Sequence, residues 1–311
     1  MPGRAYGVTL NDRIVGRIWE AYMFFQQLIS GMALGSIYAL IALGFVIIYK
    51  ATEVINFAQG ELMVWGAFIA LTLTTSLGLP LWSSLLLSLF LMALFGILLE
   101  VLAIRPLVGK HIFSIVMATI GLSFVLRHLA GIIWSYDNFP FPSVFPLQSL
   151  PVMGLTTISS SHLGVIFSSF VLMALLYLFF RFSSLGLAMR ATQQNQLGAS
   201  IVGISVKRIV SLTWALAAIL GAIAGILIAP AQFLNVNLGY LGLKAFPAAV
   251  LGGFGSIPGA IVGGLIIGVS ENLAGTFLAT WVRDIFAYVV LLVILMIRPE
   301  GIFGLQEKKR V

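Results

Sequence analysis

Residues 81–103 read LWSSLLLSLFLMALFGILLEVLA, with Glu100 as the one ionisable side chain. A helix of that length reaches about 35 Å, enough to cross the roughly 30 Å hydrocarbon core of a bilayer. Seven further stretches read the same way: 28–49, 61–79, 112–134, 162–180, 209–229, 258–277 and 283–298. Together they occupy most of a chain of 311 residues, 60% of them apolar and only 9% charged. A water-facing domain carries about 25% charged residues, and a soluble chain this apolar could not cover itself with polar groups. The expected fold class is therefore an all-α polytopic membrane protein with about eight long transmembrane helices and little else, in contact with membrane lipid.

The net charge of +7 falls in short stretches between the apolar runs, not on one folded face. That is the pattern of loops held on the cytoplasmic side, and nucleic acid is not an expected partner. With no cysteine in the chain, disulfides, thiolate metal sites and cysteine nucleophiles are excluded. Residues 1–25 form a mixed, charged N-terminal extension. The first apolar stretch is too long for a cleavable signal and lacks a small-residue cleavage site.

Loop charge sets the orientation. Residues 181–208 hold Arg181, Arg190, Lys207 and Arg208 and no acid, and Arg298, Lys308, Lys309 and Arg310 mark the end of the chain. Arg105 with Lys110 and, separately, Lys50 mark two more inward loops. Residues 135–161 hold Asp137 without Lys or Arg, and 230–243 hold no charge, so both are expected outside. The three Arg of the N-terminal 25 residues oppose this count, which puts them outside.

If 181–208 and residues 306–311 are both cytoplasmic, an even number of crossings separates them, yet only three long apolar runs lie between. The remaining segment, 243–256, is short for a span and contains Pro247, Gly252, Gly253 and Gly255. It is expected to be a broken half-helix ending inside the protein and lining something, because irregular backbone at membrane depth needs protein or a water-filled cavity around it. Residues 51–60 form a second such stretch, too polar for lipid and too apolar for a free loop. Two interrupted segments, one in each half, point to the central pathway of a transporter, although ordinary interfacial loops would read the same way.

No catalytic constellation accompanies them. His111, His128 and His162 lack metal-ligand spacing, and Gly109-Lys110 is followed by His111, not by the Ser or Thr of a phosphate-binding loop. No nucleophile elbow is present, and acids do not pair within the spans. Glu61 and Glu100 lie near helix ends, where snorkelling to the interface is the expected behaviour. Glu61 also opens its helix, where a negative charge meets the positive dipole end. Arg127 with His128 fits a lipid headgroup or a pathway role, and Glu271-Asn272 an interhelical polar contact. By polarity and position, Tyr38, Asn56, Gln59 and Asn272 are candidate pathway residues. Residues 185–203 fit a short amphipathic helix on the membrane face, ending near Gly203.

Several motifs then agree in order. Ile55-Asn56-Phe57-Ala58-Gln59-Gly60-Glu61-Leu62-Met63 resembles the Asn-Phe-Ala-His-Gly-Glu signature of LivH-type permeases of branched-chain amino acid ABC importers, with Gln59 in place of the more usual His. The stretch from Leu34 to Gly44, that from Ala248 to Ala260, and Arg298-Pro299-Glu300-Gly301-Ile302-Phe303-Gly304 are similar to the same family. The similarity spans about residues 26–305, which would form one permease domain with an ABC importer permease fold, followed by a short cytoplasmic tail. The resemblance implies a LivM-like second permease, two ATP-binding subunits and a periplasmic or lipid-anchored solute-binding protein, in a bacterial or archaeal cytoplasmic (inner) membrane. No cofactor is expected in this chain. The loop from Arg190 to Gly203, containing Gln193, Asn195 and Leu197, matches the place where such importers carry their coupling helix. The expected function is passage of a small polar solute, most readily a branched-chain amino acid, driven by ATP on other chains. Relatives for urea or short amides, and an ion-coupled secondary transporter, are the alternatives. The latter needs a buried ionisable site, whereas the carboxylates read here as end-placed.

Overall fold

In the computed structural model, residues 10–107, 110–145, 148–152, 156–298 and 300–304 are described; the expected cytoplasmic tail, 306–311, lies outside them. Helix α1 spans Leu10–Thr52, α2 Gln59–Thr75, α3 Leu81–Leu99, α4 Ile112–Trp134 and α5 Ser160–Phe182. Two short helices follow, α6 (Ser184–Gln194) and α7 (Gln196–Ile201), and then α8 (Val206–Gln232). The last three are α9 (Tyr240–Gly252), α10 (Ile257–Phe277) and α11 (Thr280–Ile297). A short antiparallel hairpin, β1 (Ser149–Val152) with β2 (Thr156–Ser159), adds a small strand element in the loop before α5.

Among the described residues, seven helices are long and apolar enough to cross a bilayer, one fewer than the sequence suggests. The exception is α2. It has 17 residues and ends at Thr75 instead of running to 79, so it covers about 26 Å. Its start lies inside the protein: the Gln59 amide nitrogen donates to the Ala217 carbonyl at 2.9 Å. Ala217 is about 17 Å along α8 from Val206, roughly midway through a hydrocarbon core. The chain leaves α1 at Thr52, turns through Glu53 at a φ of 58°, and crosses that depth without a helix. Val54, Asn56 and Ala58 are buried there, so the interruption expected within 51–60 falls at residues 53–58.

Helix α9 is the second interrupted element. Its 13 residues, Tyr240–Gly252, reach about 20 Å and cannot span. Two details differ from the sequence reading. The helix is continuous through Pro247, and the break falls at Gly253, whose φ of 92° ends it; Gly255 has a negative φ and open space around it and is not the hinge. The carbonyls left orphaned at this end are met from afar. Ile302 N–H donates to Leu251 O at 2.8 Å and Phe303 N–H to Gly252 O at 3.2 Å, which answers the need of any buried helix terminus. Two sequence motifs some 50 residues apart are thus one structural unit.

The helices sort into a buried centre and a lipid-facing shell. The span of α1 is 94% buried and that of α8 78%, against 17% for α4 and 6% for α11. Small residues permit a close crossing between α1 and α10. A Cβ on Gly35 would stand 2.9 Å from the Leu265 Cα, one on Gly31 2.9 Å from the Val269 Cα, and Gly264 abuts Ala39. Without a hydrophobic drive between helices in lipid, such close backbone approach is what holds them together. On α3, Leu86, Phe90 and Leu94 recur every fourth position and are exposed, a face suited to lipid tails.

Candidate functional site

The two interrupted helices meet through their N-terminal ends. Gly60 of α2 packs on Gly239 and Gly242 at the start of α9, with no room for a side chain at either helix. Beside this crossing, Glu61 is 1% exposed. Its Oε1 accepts from Arg127 Nε of α4 at 3.0 Å and from the same guanidinium through Nη2. The guanidinium carbon lies 3.9 Å from the centroid of the Tyr240 ring, a cation–π geometry. Arg127 therefore clamps α2, α4 and α9 together. Among the described residues, Oε2 of Glu61 has no hydrogen-bond partner, and neither do Asn56 Nδ2 and Gln59 Oε1, all of them buried. In contrast, Asn56 Oδ1 accepts from Ala58 N–H at 3.1 Å and so braces the turn into α2.

A second network crosses four helices. Glu271 of α10, 1% exposed, accepts from Tyr38 Oη of α1 at 2.9 Å and from Lys244 Nζ of α9 at 3.1 Å. Lys244 also reaches Asp284 of α11 at 2.8 Å, and Arg283 Nε stands 3.7 Å from Glu271. A third pair lies at the end of α3, beside the start of α8. Helix α3 widens into a π turn at Glu100–Ile104, then tightens into a 3₁₀ turn at Arg105–Leu107. Residues five apart align on a π turn, so Arg105 donates to Glu100 at 3.1 and 2.7 Å, and Ser211 of α8 adds a bond at 2.7 Å.

These pairs correct the snorkelling expectation. Glu61 and Glu100 are buried and bound to cations instead of reaching to the interface, because an arginine close by offsets each buried negative charge. Arg127 faces Glu61, not a headgroup. Glu271 makes the interhelical contact expected of it. Lys244 was passed over: its signal is a lone lysine in an otherwise apolar, Pro- and Gly-containing segment, an intramembrane charge that calls for a partner. The four candidate pathway residues are not gathered in one place. Asn56 and Gln59 share the turn into α2, Tyr38 belongs to the Glu271 network, and Asn272 donates to Gln27 O and Oε1 at 2.7 and 2.8 Å.

The basic loop 181–208 forms two helices where the sequence suggested one. Asn195 divides them with an extended backbone (φ −160°) and caps α7 by accepting from Gly198 N–H at 2.8 Å. Ser183 caps α6 in the same way. Gly203, at a φ of 87°, turns the chain toward α8. Arg190 is exposed and Gln193 partly so, and the amide of Gln196 holds the loop to the end of α1 through Ala51 O at 3.3 Å. Leu197, Ile201 and Val202 are 77, 85 and 75% exposed, in the basic loop 181–208. On the opposite side, Phe139 and Leu234 exchange backbone hydrogen bonds of 2.8 and 2.9 Å, so the loops 135–145 and 233–239 are joined.

Comparison with known proteins bears on this architecture. Residues 27–295 match the family described as branched-chain amino acid transport system, permease component. The permease protein BraD of the high-affinity branched-chain amino acid transport system of Pseudomonas aeruginosa is 35% identical, over 94% of this chain and 99% of that one. LivH of Escherichia coli K12 is 33% identical over the same shares. A fructose import permease protein, FruG of Bifidobacterium longum, is 25% identical over 97% of this chain and 96% of its own length. Among solved structures, PsaBC from Streptococcus pneumoniae in complex with Fab aligns with a TM-score of 0.48 at 15% identity, over 89% of this chain and 92% of that one. This multi-pass membrane protein belongs to the family of permease components of branched-chain amino acid transport systems.

Proposed function

We propose that this chain forms half of the translocation pathway of an ATP-driven importer in the cytoplasmic membrane, carrying branched-chain amino acids inward. Its companions are a LivM-like second permease, two ATP-binding subunits and a solute-binding protein, periplasmic or lipid-anchored. The observation that carries the reading is the exposed Leu197, Ile201 and Val202 on a basic cytoplasmic loop. Burying an aliphatic side chain of this kind is worth about 1.5–3 kcal/mol, so the loop is built to dock on a soluble protein. The chain has no phosphate-binding loop, and in this reading the ATPase supplies that chemistry from another subunit. Closure of the ATPase pair moves α6 and α7, and through Gln196 and Ala51 that movement reaches the inner end of α1. The joined outer loops face the loaded binding protein.

An ion-coupled carrier is the competing mechanism. It needs an ionisable group free to load a proton or a cation, whereas Glu61, Glu100 and Glu271 are each held by a basic side chain. Reconstitution of the complete importer in vesicles separates the two. Leucine uptake is expected to stop when ATP is withheld and to be indifferent to collapse of ion gradients. Uptake that persists without ATP overturns the proposal.

A further inference from the structure

At the outer ends of α1, α5, α8, α10 and α11 lies a half-open cavity of about 270 Å³. Its wall has two characters. Ile37 and Leu227 contribute aliphatic surface, while Asn272, Gln232 and Arg283 bring an amide carbonyl, a second amide and a guanidinium to the same space. Small-molecule sites are concave and mainly apolar, with a few polar groups that fix orientation, and typically occupy about 300–1,000 Å³. This one lies just below that range, as suits a solute the size of one amino acid.

Its cation has donors to spare. Glu271 is hydrogen-bonded by Tyr38 and Lys244, and Arg283, which pairs with it through Nε at 3.7 Å, makes no hydrogen bond among the described residues. Gly275 of α10 gives the arginine stem its place, since a Cβ there would stand 3.0 Å from the Arg283 Cβ. The Asn272 amide is fixed by its two bonds to Gln27 through Nδ2, which leaves its Oδ1 as an acceptor. Among the described residues lining the cavity, none is a Trp, Tyr or Phe on which a sugar ring could stack.

We infer that this cavity is a transit site for an aliphatic α-amino acid on its way from the binding protein into the pathway. The carboxylate meets Arg283, the ammonium group meets Asn272 Oδ1 and the Gln232 amide, and the side chain lies against Ile37 and Leu227. The inference rests on the function proposed above and adds a solute contact within the permease itself.

The absence of cysteine from the chain makes the test direct. In the permease–ATPase complex, without its binding protein, Ser30→Cys introduces a near-isosteric thiol into the cavity wall, and its rate of modification by a small water-soluble thiol reagent is measured. L-Leucine is expected to slow labelling at least about fivefold, with glucose at the same concentration having no effect. Arg283→Gln is expected to raise the leucine concentration for half-protection by about tenfold or more, the scale of a lost charged hydrogen bond, and Arg283→Lys to restore part of it. Leu227→Cys repeats the measurement from another wall in case Ser30→Cys fails to assemble. Failure of leucine to protect either thiol, or protection unchanged by Arg283→Gln, overturns the transit site. Uptake of leucine by the unmodified complete importer is measured in parallel; if that is missing, it is the proposed solute that fails.

Discussion

Removal of Arg127 tests whether the crossing of α2 and α9 depends on a paired charge. The Arg127 side chain is 12% exposed and that of Glu61 2%. Arg127→Met leaves a carboxylate in a nearly dry site, with two helix starts but no cation beside it. Breaking a buried pair from one side typically costs about 3–5 kcal/mol. At about 2.1 cal/mol/K of unfolding entropy per residue, each kcal/mol lowers the melting temperature of a 311-residue chain by about 1.5 °C, so a fall of about 5–8 °C is expected in detergent. Glu61→Gln in the same chain removes the stranded charge and is expected to recover about 2–3 kcal/mol of that loss. Full recovery is not expected, because the contact of Arg127 with Tyr240 at 3.9 Å is worth about 0.5–2 kcal/mol in its own right and stays lost. The assay is a double-mutant cycle on the melting temperature of the purified complex, read at fixed detergent and lipid. A double variant whose loss equals the sum of the two single losses refutes the pairing argument, since independent sites add.

Three further outcomes follow from the same geometry. Leu197→Asp with Ile201→Asp is expected to leave the melting temperature of the permease alone unchanged, within about 0.5 kcal/mol for exposed positions; in the complete complex these changes should abolish stimulation of ATP hydrolysis by the loaded binding protein. Gly35→Val forces a side chain onto the Leu265 backbone, 2.9 Å from its first carbon; a cost of about 1–3 kcal/mol is expected, visible as lost monodispersity in size-exclusion chromatography. Lys244→Met leaves Glu271 with Tyr38 as its hydrogen-bond donor and Arg283 at 3.7 Å; uptake is expected to fall and to be partly regained with Glu271→Gln, measured as initial rates in vesicles.

The spans were legible because lipid acts as a uniform solvent and composition alone reports a helix that faces it. Helix α2 escaped that reading because its residues are as apolar as those of a true span, while the element starts inside the protein. The polarity of Asn56 and Gln59 gave the place of the break but not its depth. Ion pairs were hidden for a different reason. Glu61 and Arg127 are 66 residues apart and Lys244 and Glu271 27, and no periodicity relates them, so proximity comes only from packing. The exception is Glu100 with Arg105, five apart, which a straight α-helix does not align; a π turn brings them together. Asn195 was named in the loop, but its cap on α7 needs an extended backbone that the helix-compatible composition around it conceals.

The bonds from Ile302 and Phe303 to the end of α9 also have a consequence for biosynthesis. Their donors follow Leu251 and Gly252 by about 50 residues, which at about 5–20 residues per second take roughly 3–10 s to translate. Throughout that interval the nascent half-helix has carbonyls that nothing later in the chain can yet satisfy. The order of synthesis thus makes the last described segment of the chain the latch that closes the end of α9.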